Sequence, residues 1–222
     1  MKSWKIVVPV LLVMCLASMA SAAEMSTGSG MKGHLTLGAN GGLAVPSGKL
    51  SANFTDNGAD MGLGWDAGGS LDWFATDQLA IGADVSFGSM KSKDDPNPGE
   101  ELKAKTLSYG VHGRWYIPTG GGKMLPWLGA GVAMYNRKIS DEVPGASIEL
   151  SDTKPGANFG VGIEYLASEM VGLGINGTYD LTFGKWEQDI NGDGVNDAVL
   201  DNWNLMRFNA AVTFHFPHAA AK

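Results

Sequence analysis

The chain has 222 residues, with 16 Lys and Arg against 23 Asp and Glu and a formal net charge of −7. That balance argues against nucleic acid as a partner and against general attraction to anionic lipid. Its 32 glycines are about twice the usual share yet follow no Gly-X-Y period, which excludes a collagen-like chain and places the glycines within regular structure.

Residues 1–23 read as a cleaved signal peptide. Lys2 and Lys5 form a positive start, Ile6 to Leu16 is mostly apolar, and Ala20-Ser21-Ala22 supplies the small residues before the cut. The apolar run is too short to cross a bilayer as a helix, which takes about 20 residues. Cleavage is expected after Ala22 or Ala23, leaving 24–222 as one domain. Cys15, the only cysteine, leaves with the leader, so the mature chain has no disulfide or thiol chemistry. Met14 stands where a lipobox needs a small residue, so no lipoprotein is expected.

No later stretch reaches 18 consecutive apolar residues, so no transmembrane helix is predicted. The mature chain instead alternates with a period of two between turn signals. A first strand at 33–45 sets Leu35, Leu37, Leu43 and Val45 against Thr36, Gly38, Asn40 and Gly42. A second at 63–73 sets Leu63, Trp65, Leu71 and Trp73 against Asp66, Ser70 and Asp72. After Ala75-Thr76-Asp77-Gln78, a third at 79–88 sets Leu79, Ile81, Val85 and Phe87 against Gly82, Asp84 and Ser86. The remaining strands are predicted at 105–117, 126–138, 156–166, 170–183 and 203–216, each with one large apolar face and one face of glycine, small polar residues and isolated charges.

The expected fold is therefore all-β: a closed, eight-stranded, antiparallel up-and-down barrel that spans a membrane. Connections at 75–78, 118–125 and 167–169 are short, whereas those at 46–61, 89–104, 139–155 and 184–202 are long, the asymmetry of an outer-membrane barrel. Pointing inward, the large apolar face would overfill an eight-stranded interior; pointing outward, it meets lipid. Trp73, Trp115, Tyr116, Trp127 and Tyr165 near the short turns, and Trp65, Phe87, Tyr135, Phe183 and Trp203 near the long loops, are expected to form two aromatic belts. An open sheet edge in hydrocarbon would strand backbone groups, so 203–216 must pair with 33–45.

The inward face carries Asp66, Asp72, Asp84, His112, Arg114, Glu164, Asp180 and Arg207. They are expected to pair across a narrow lumen, since unpaired buried charge is costly. Asp72, Asp84, His112, Arg114 and Glu164 are placed towards the short turns, and Asp66, Asp180 and Arg207 towards the long loops. A cation-favouring pore lining is the alternative. In the last long loop, Asp189, Asn191, Asp193, Val195 and Asp197 follow the spacing D-x-N-x-D-G-x-x-D, which suits weak Ca²⁺ binding with Gly194 at the sharp turn. Leu200 stands where a twelfth-position carboxylate would complete the cage, and no other cofactor is expected.

Four segments resemble the OmpA/OmpX-type outer-membrane barrel domain family: LDWFATDQLAIGADVSFG (71–88), FGVGIEYLASEMVGLGINGTY (159–179), PWLGAGVAMY (126–135) and LTLGANGGLAVPSG (35–48). The resemblance spans nearly the whole mature chain and implies a bacterial outer-membrane location. It also implies assembly by the barrel assembly machinery through a terminal aromatic, here Phe216, although Pro217 to Lys222 follow it. Those six residues cannot form the peptidoglycan-binding domain that OmpA itself carries. The function expected is structural or surface-interacting, in a monomer surrounded by outer-membrane lipid and lipopolysaccharide. The rivals are a narrow channel for ions or small solutes and a lipid A-modifying enzyme. For the enzyme, no compact Ser/His/acid set appears, and His34, His112 and His215 all fall towards the short-turn end.

Overall fold

Two-residue alternation makes each segment a strand with one face for each side of a curved sheet. In the computed structural model, which describes residues 30–48, 50, 60–93, 101–119, 123–143, 146–188, 198–200 and 203–216, the strands are β1 (Leu35–Gly48), β2 (Gly64–Phe74), β3 (Leu79–Lys91), β4 (Glu101–Tyr116), β5 (Met124–Val143), β6 (Ala146–Leu166), β7 (Val171–Thr182), β8 (Trp186–Gln188), β9 (Ala198–Leu200) and β10 (Trp203–Phe216). The expected signal peptide and the segment 189–197 lie outside the described residues.

Eight strands close into an antiparallel barrel in the order β1-β10-β7-β6-β5-β4-β3-β2. Closure falls where the sequence requires it, with β10 along β1 from Leu35↔Phe216 to Gly48↔Trp203. The β1–β2 ladder stops at Ala44↔Gly64. Pro46, which has no N–H to donate, therefore falls where β1 has β10 alone as a partner.

The turns from β2 to β3 and from β6 to β7 use the same device. Thr76 Oγ1 accepts from the Gln78 and Leu79 amides at 3.2 and 2.9 Å, and Ser168 Oγ accepts from Met170 and Val171 at 3.3 and 3.1 Å. Beyond the strand ends, Gly33 donates to the Phe74 carbonyl and Tyr116 to that of Gln78, at 2.8 and 2.7 Å. The backbone at this end is thus paired through its turns.

At the other end the strands outrun their expected limits. The segment 139–155 is not a long loop: β5 and β6 stay paired out to Val143↔Ala146. Alternation persists there, but Lys138, Ser140, Ser151 and Thr153 replace the apolar residues of the outward row, so that row's hydrophobic period fades while the ladder continues. Likewise β4 begins at Glu101, and the segment 184–202 contains the hairpin β8–β9, paired from Trp186↔Leu200 to Gln188↔Ala198.

The large apolar residues stand outside: Leu37, Val111 and Ile175 are 50%, 56% and 69% exposed. Inside are Thr36, Asp66, Asp72, Ser108, Asp180 and His215, all buried. The expected aromatic belts are corrected by this parity. Trp65, Trp73, Phe87, Trp115, Tyr165 and Phe183 face outward, whereas Tyr116, Tyr135 and Trp203 are buried inside. Trp127 also points in, so close to Gly162 that a β-carbon there would meet its ring at 2.6 Å. The four inward rings share the odd–even phase of the glycine-rich face, which decides orientation more strongly than nearness to a strand end.

The interior is layered. At the short-turn end Phe74, Ala80 and Tyr116 form an apolar cluster with Met31, Leu125 and Trp127. At the long-loop end Ala44, Leu50, Met61, Met90, Ala104, Ile139, Trp203 and Leu205 form another. Charged and hydroxyl side chains occupy the section between.

Candidate functional site in the barrel interior

Parity puts Asp72 of β2, Asp84 of β3 and His112 and Arg114 of β4 on the inner wall of adjacent strands. His112 bridges the carboxylates, with Nε2 2.6 Å from Asp72 Oδ1 and Nδ1 2.7 Å from Asp84 Oδ1. Arg114 donates to Asp72 Oδ2 at 3.1 Å, as does Ser70 Oγ, and its guanidinium lies 5.1 Å from the Trp127 ring. The contact between β2 and β4 crosses β3 at Gly82, the register partner of both Asp72 and His112. A β-carbon at Gly82 would come within 2.9 Å of the Asp72 carboxyl carbon. The glycine is what lets the imidazole reach over.

Nearer the short turns, Glu164 of β6 meets His215 of β10 at 2.6 Å, both buried. Nearer the long loops, Arg207 of β10 forms a crossbar. It donates to Asp180 of β7 at 2.7 Å and to Ser86 Oγ of β3, and lies 3.6 Å from Asp66 of β2. The Tyr135 hydroxyl donates to Asp180 at 3.2 Å, Asn209 donates to Asp66 at 2.7 Å, and Ser86 and Ser108 share a hydrogen bond of 2.7 Å.

The structure thus places all eight sequence-selected charges on the inner wall and sorts them into three groups: Asp72, Asp84, His112 and Arg114 together, Glu164 apart from them with His215, and Asp66, Asp180 and Arg207 above. Sequence reading missed Tyr135, Ser86, Ser108, Asn209 and His215 as members. Each shares the inward phase of its strand, so parity was the available signal. It also missed Arg137, which is buried at the long-loop end with its guanidinium 5.5 Å from the Trp203 ring. A cavity of about 90 Å³ remains along Asn40, Asn158, Asn176 and Thr178, enough for several waters.

Both ring nitrogens of His112 engage carboxylates, and Ser70 donates to Asp72 rather than to a base. The cluster therefore holds a proton between acids without activating a nucleophile. Among the described residues, no group of three or more His, Cys, Asp or Glu is arranged to hold a metal ion. The proposed calcium ligands Asp189, Asn191, Asp193, Val195 and Asp197 lie outside the described residues.

A closed sheet that is apolar outside, polar within and tightly turned at one end defines an eight-stranded barrel of the outer-membrane type. The chain belongs to the family described as outer membrane protein beta-barrel domain, which it matches over residues 8–216. Among solved structures it is similar to Neisserial surface protein A at 18% identity and a TM-score of 0.56, covering 83% of this chain and 100% of that one. It is also similar to the outer membrane protein OprG from Pseudomonas aeruginosa, at 14% identity and a TM-score of 0.53 over 88% of this chain and 100% of that one. At these identities the likeness concerns the fold. No curated protein matches the sequence.

Proposed function

We propose that this protein is a structural and surface-interaction barrel of the bacterial outer membrane, with its long loops outside the cell and its lumen shut by its own side chains. The observation that carries this reading is the Arg207 crossbar, which joins β10 to β3 and β7 through the barrel centre. The apolar clusters above and below it support the same reading. An eight-stranded barrel is only wide enough for side chains to fill, and here they are long and mutually paired. The protein works without catalysis, as a monomer, delivered by the barrel assembly machinery and bedded in lipid and lipopolysaccharide.

Planar-bilayer recording tests closure. The wild-type protein should give no steps above the lipid baseline, and Arg207→Ser combined with Trp203→Ala should open measurable conductance. Regular steps from the wild type would establish the channel alternative.

The loop carrying Asp189, Asn191, Asp193, Val195 and Asp197 is proposed to take Ca²⁺ weakly, because alternate oxygen ligands followed by a glycine turn suit that ion. Titration calorimetry on the folded barrel should show saturable heat with CaCl₂ that Asp193→Ala removes. Equal heats from the two proteins would end the proposal.

A further inference from the structure

Two arginines point inward on the long-loop side of the His112 cluster, and their surroundings differ. Arg207 is held by Asp180 and Ser86 and lies beside Asp66. Arg137, on the inner face of β5, is 0% exposed, yet its Nε, Nη1 and Nη2 all lack a hydrogen-bond partner among the described residues. Burying a charge without a counter-charge or hydrogen bonds is among the costliest arrangements open to a folded chain. The Trp203 ring, whose centre is 5.5 Å from the guanidinium, offsets only part of that penalty.

Two further donors at this level are in the same state. Thr106 of β4 is the register partner of Arg137, and Trp203 of β10 faces it across the lumen. Both are buried, and neither Thr106 Oγ1 nor Trp203 Nε1 has a hydrogen-bond partner among the described residues. On the other flank β6 places Asp152 in register with Arg137. That carboxylate is engaged elsewhere: it accepts from the Thr153 amide at 2.7 Å and lies 3.1 Å from Lys154 Nζ. Leu50, Met61, Met90, Ile139 and Leu205 join Trp203 in the apolar cluster that closes this end of the lumen. One cation and two neutral donors, all unused, therefore stand together in an apolar setting.

We infer that Arg137, Thr106 and Trp203 form a receptor for a short-chain monocarboxylate at the long-loop mouth of the barrel. The planar guanidinium fork matches the two oxygens of a carboxylate, and the Thr106 hydroxyl and Trp203 indole N–H are further donors to them. A single negative charge is selected, because one guanidinium stands here and Asp152 on the next strand repels a second. The apolar cluster receives the body of the ligand. Its members are themselves buried, so that body is short, and the unbranched side chains of Met61 and Met90 can reshape around it. Binding supplies the counter-charge that the chain itself does not, and so stabilises the folded barrel by mass action. The site goes beyond the surface-interaction reading and does not depend on it.

The test titrates the full-length mature barrel, folded in detergent micelles, with sodium propionate by calorimetry, with n-propanol and sodium phosphate as comparison probes. Propionate should give saturable heat, and neither comparison probe should match it. Arg137→Gln should weaken propionate binding about tenfold or more, and Thr106→Val should weaken it several-fold. No saturable heat with propionate, equal binding of propanol or phosphate, or unchanged affinity in Arg137→Gln would overturn the proposal. Urea unfolding gives a second readout, in buffer free of carboxylates. Arg137→Met should unfold at a midpoint no lower than that of the wild type, since an apolar chain replaces a buried charge without a partner. Propionate should then raise the midpoint of the wild type and leave that of Arg137→Met where it was. A lower midpoint for Arg137→Met without propionate would mark Arg137 as a structural residue already satisfied by the chain, and would also overturn the proposal.

Discussion

Arg207→Ala should lower the unfolding free energy by about 3–5 kcal/mol, the usual cost of removing one partner from a buried ion pair. The guanidinium is 10% exposed and its two carboxylates almost fully buried. Truncation leaves Asp180 and Asp66 facing each other with only Tyr135 and Asn209 as donors. Desolvation that was offset by the pair then stands alone. Arg207→Lys should recover only part of the loss, because one ammonium cannot reach Ser86 and Asp180 with the spread of a guanidinium fork. Urea unfolding from lipid vesicles, followed by tryptophan fluorescence, measures both variants. An unchanged midpoint for Arg207→Ala would show that the crossbar contributes nothing.

Gly82→Val should cost a comparable amount, about 3–5 kcal/mol, although glycine to valine in a strand ordinarily favours the strand. The new side chain enters the space through which His112 reaches Asp72, since a β-carbon alone would come within 2.9 Å of the Asp72 carboxyl carbon. Forcing those groups apart leaves Asp72 with Arg114 and Ser70 and frees one imidazole nitrogen in a buried site. Gly113→Val on the outer face of β4 is the control, because a β-carbon there meets only the Ala80 carbonyl, at 3.9 Å. The same urea measurement compares them; equal midpoints would mean that the His112–Asp72 contact is dispensable.

The contrast between those two glycines shows what was legible in the sequence. Parity assigns Gly82 to the inner wall and Gly113 to the outer, as it assigns Asp72 and His112 inward and Val111 outward. Strand closure followed from the same pattern, because eight alternating segments in a membrane admit no free edge. Parity also contained the inward orientation of Tyr116, Trp127, Tyr135 and Trp203, which nearness to a strand end does not determine. The extension of β5 and β6 was hidden for a physical reason: past the apolar band the outward row turns polar while apolar residues such as Ile139 and Leu150 fall on the opposite parity, so the ladder continues with its hydrophobic phase reversed. Partners such as Arg207 and Ser86 were beyond reach, since which inward side chains meet depends on strand stagger around the barrel. The isolation of Arg137 was equally invisible, because a sequence shows a charge but not whether a carboxylate stands within its reach.

The crossbar also bears on the order of assembly. Arg207 reaches Ser86 over a sequence separation of 121 residues, and Asn209 reaches Asp66 over 143. Neither contact can form within a hairpin or between consecutive strands. Both wait for β10, the last of the barrel strands in chain order, to find β1 and β7. The chain-closure entropy of such distant contacts is recovered only at that step. The centre of the barrel therefore acts as a latch, set when the circle of strands is complete and marking the passage from an inserted sheet to a finished wall.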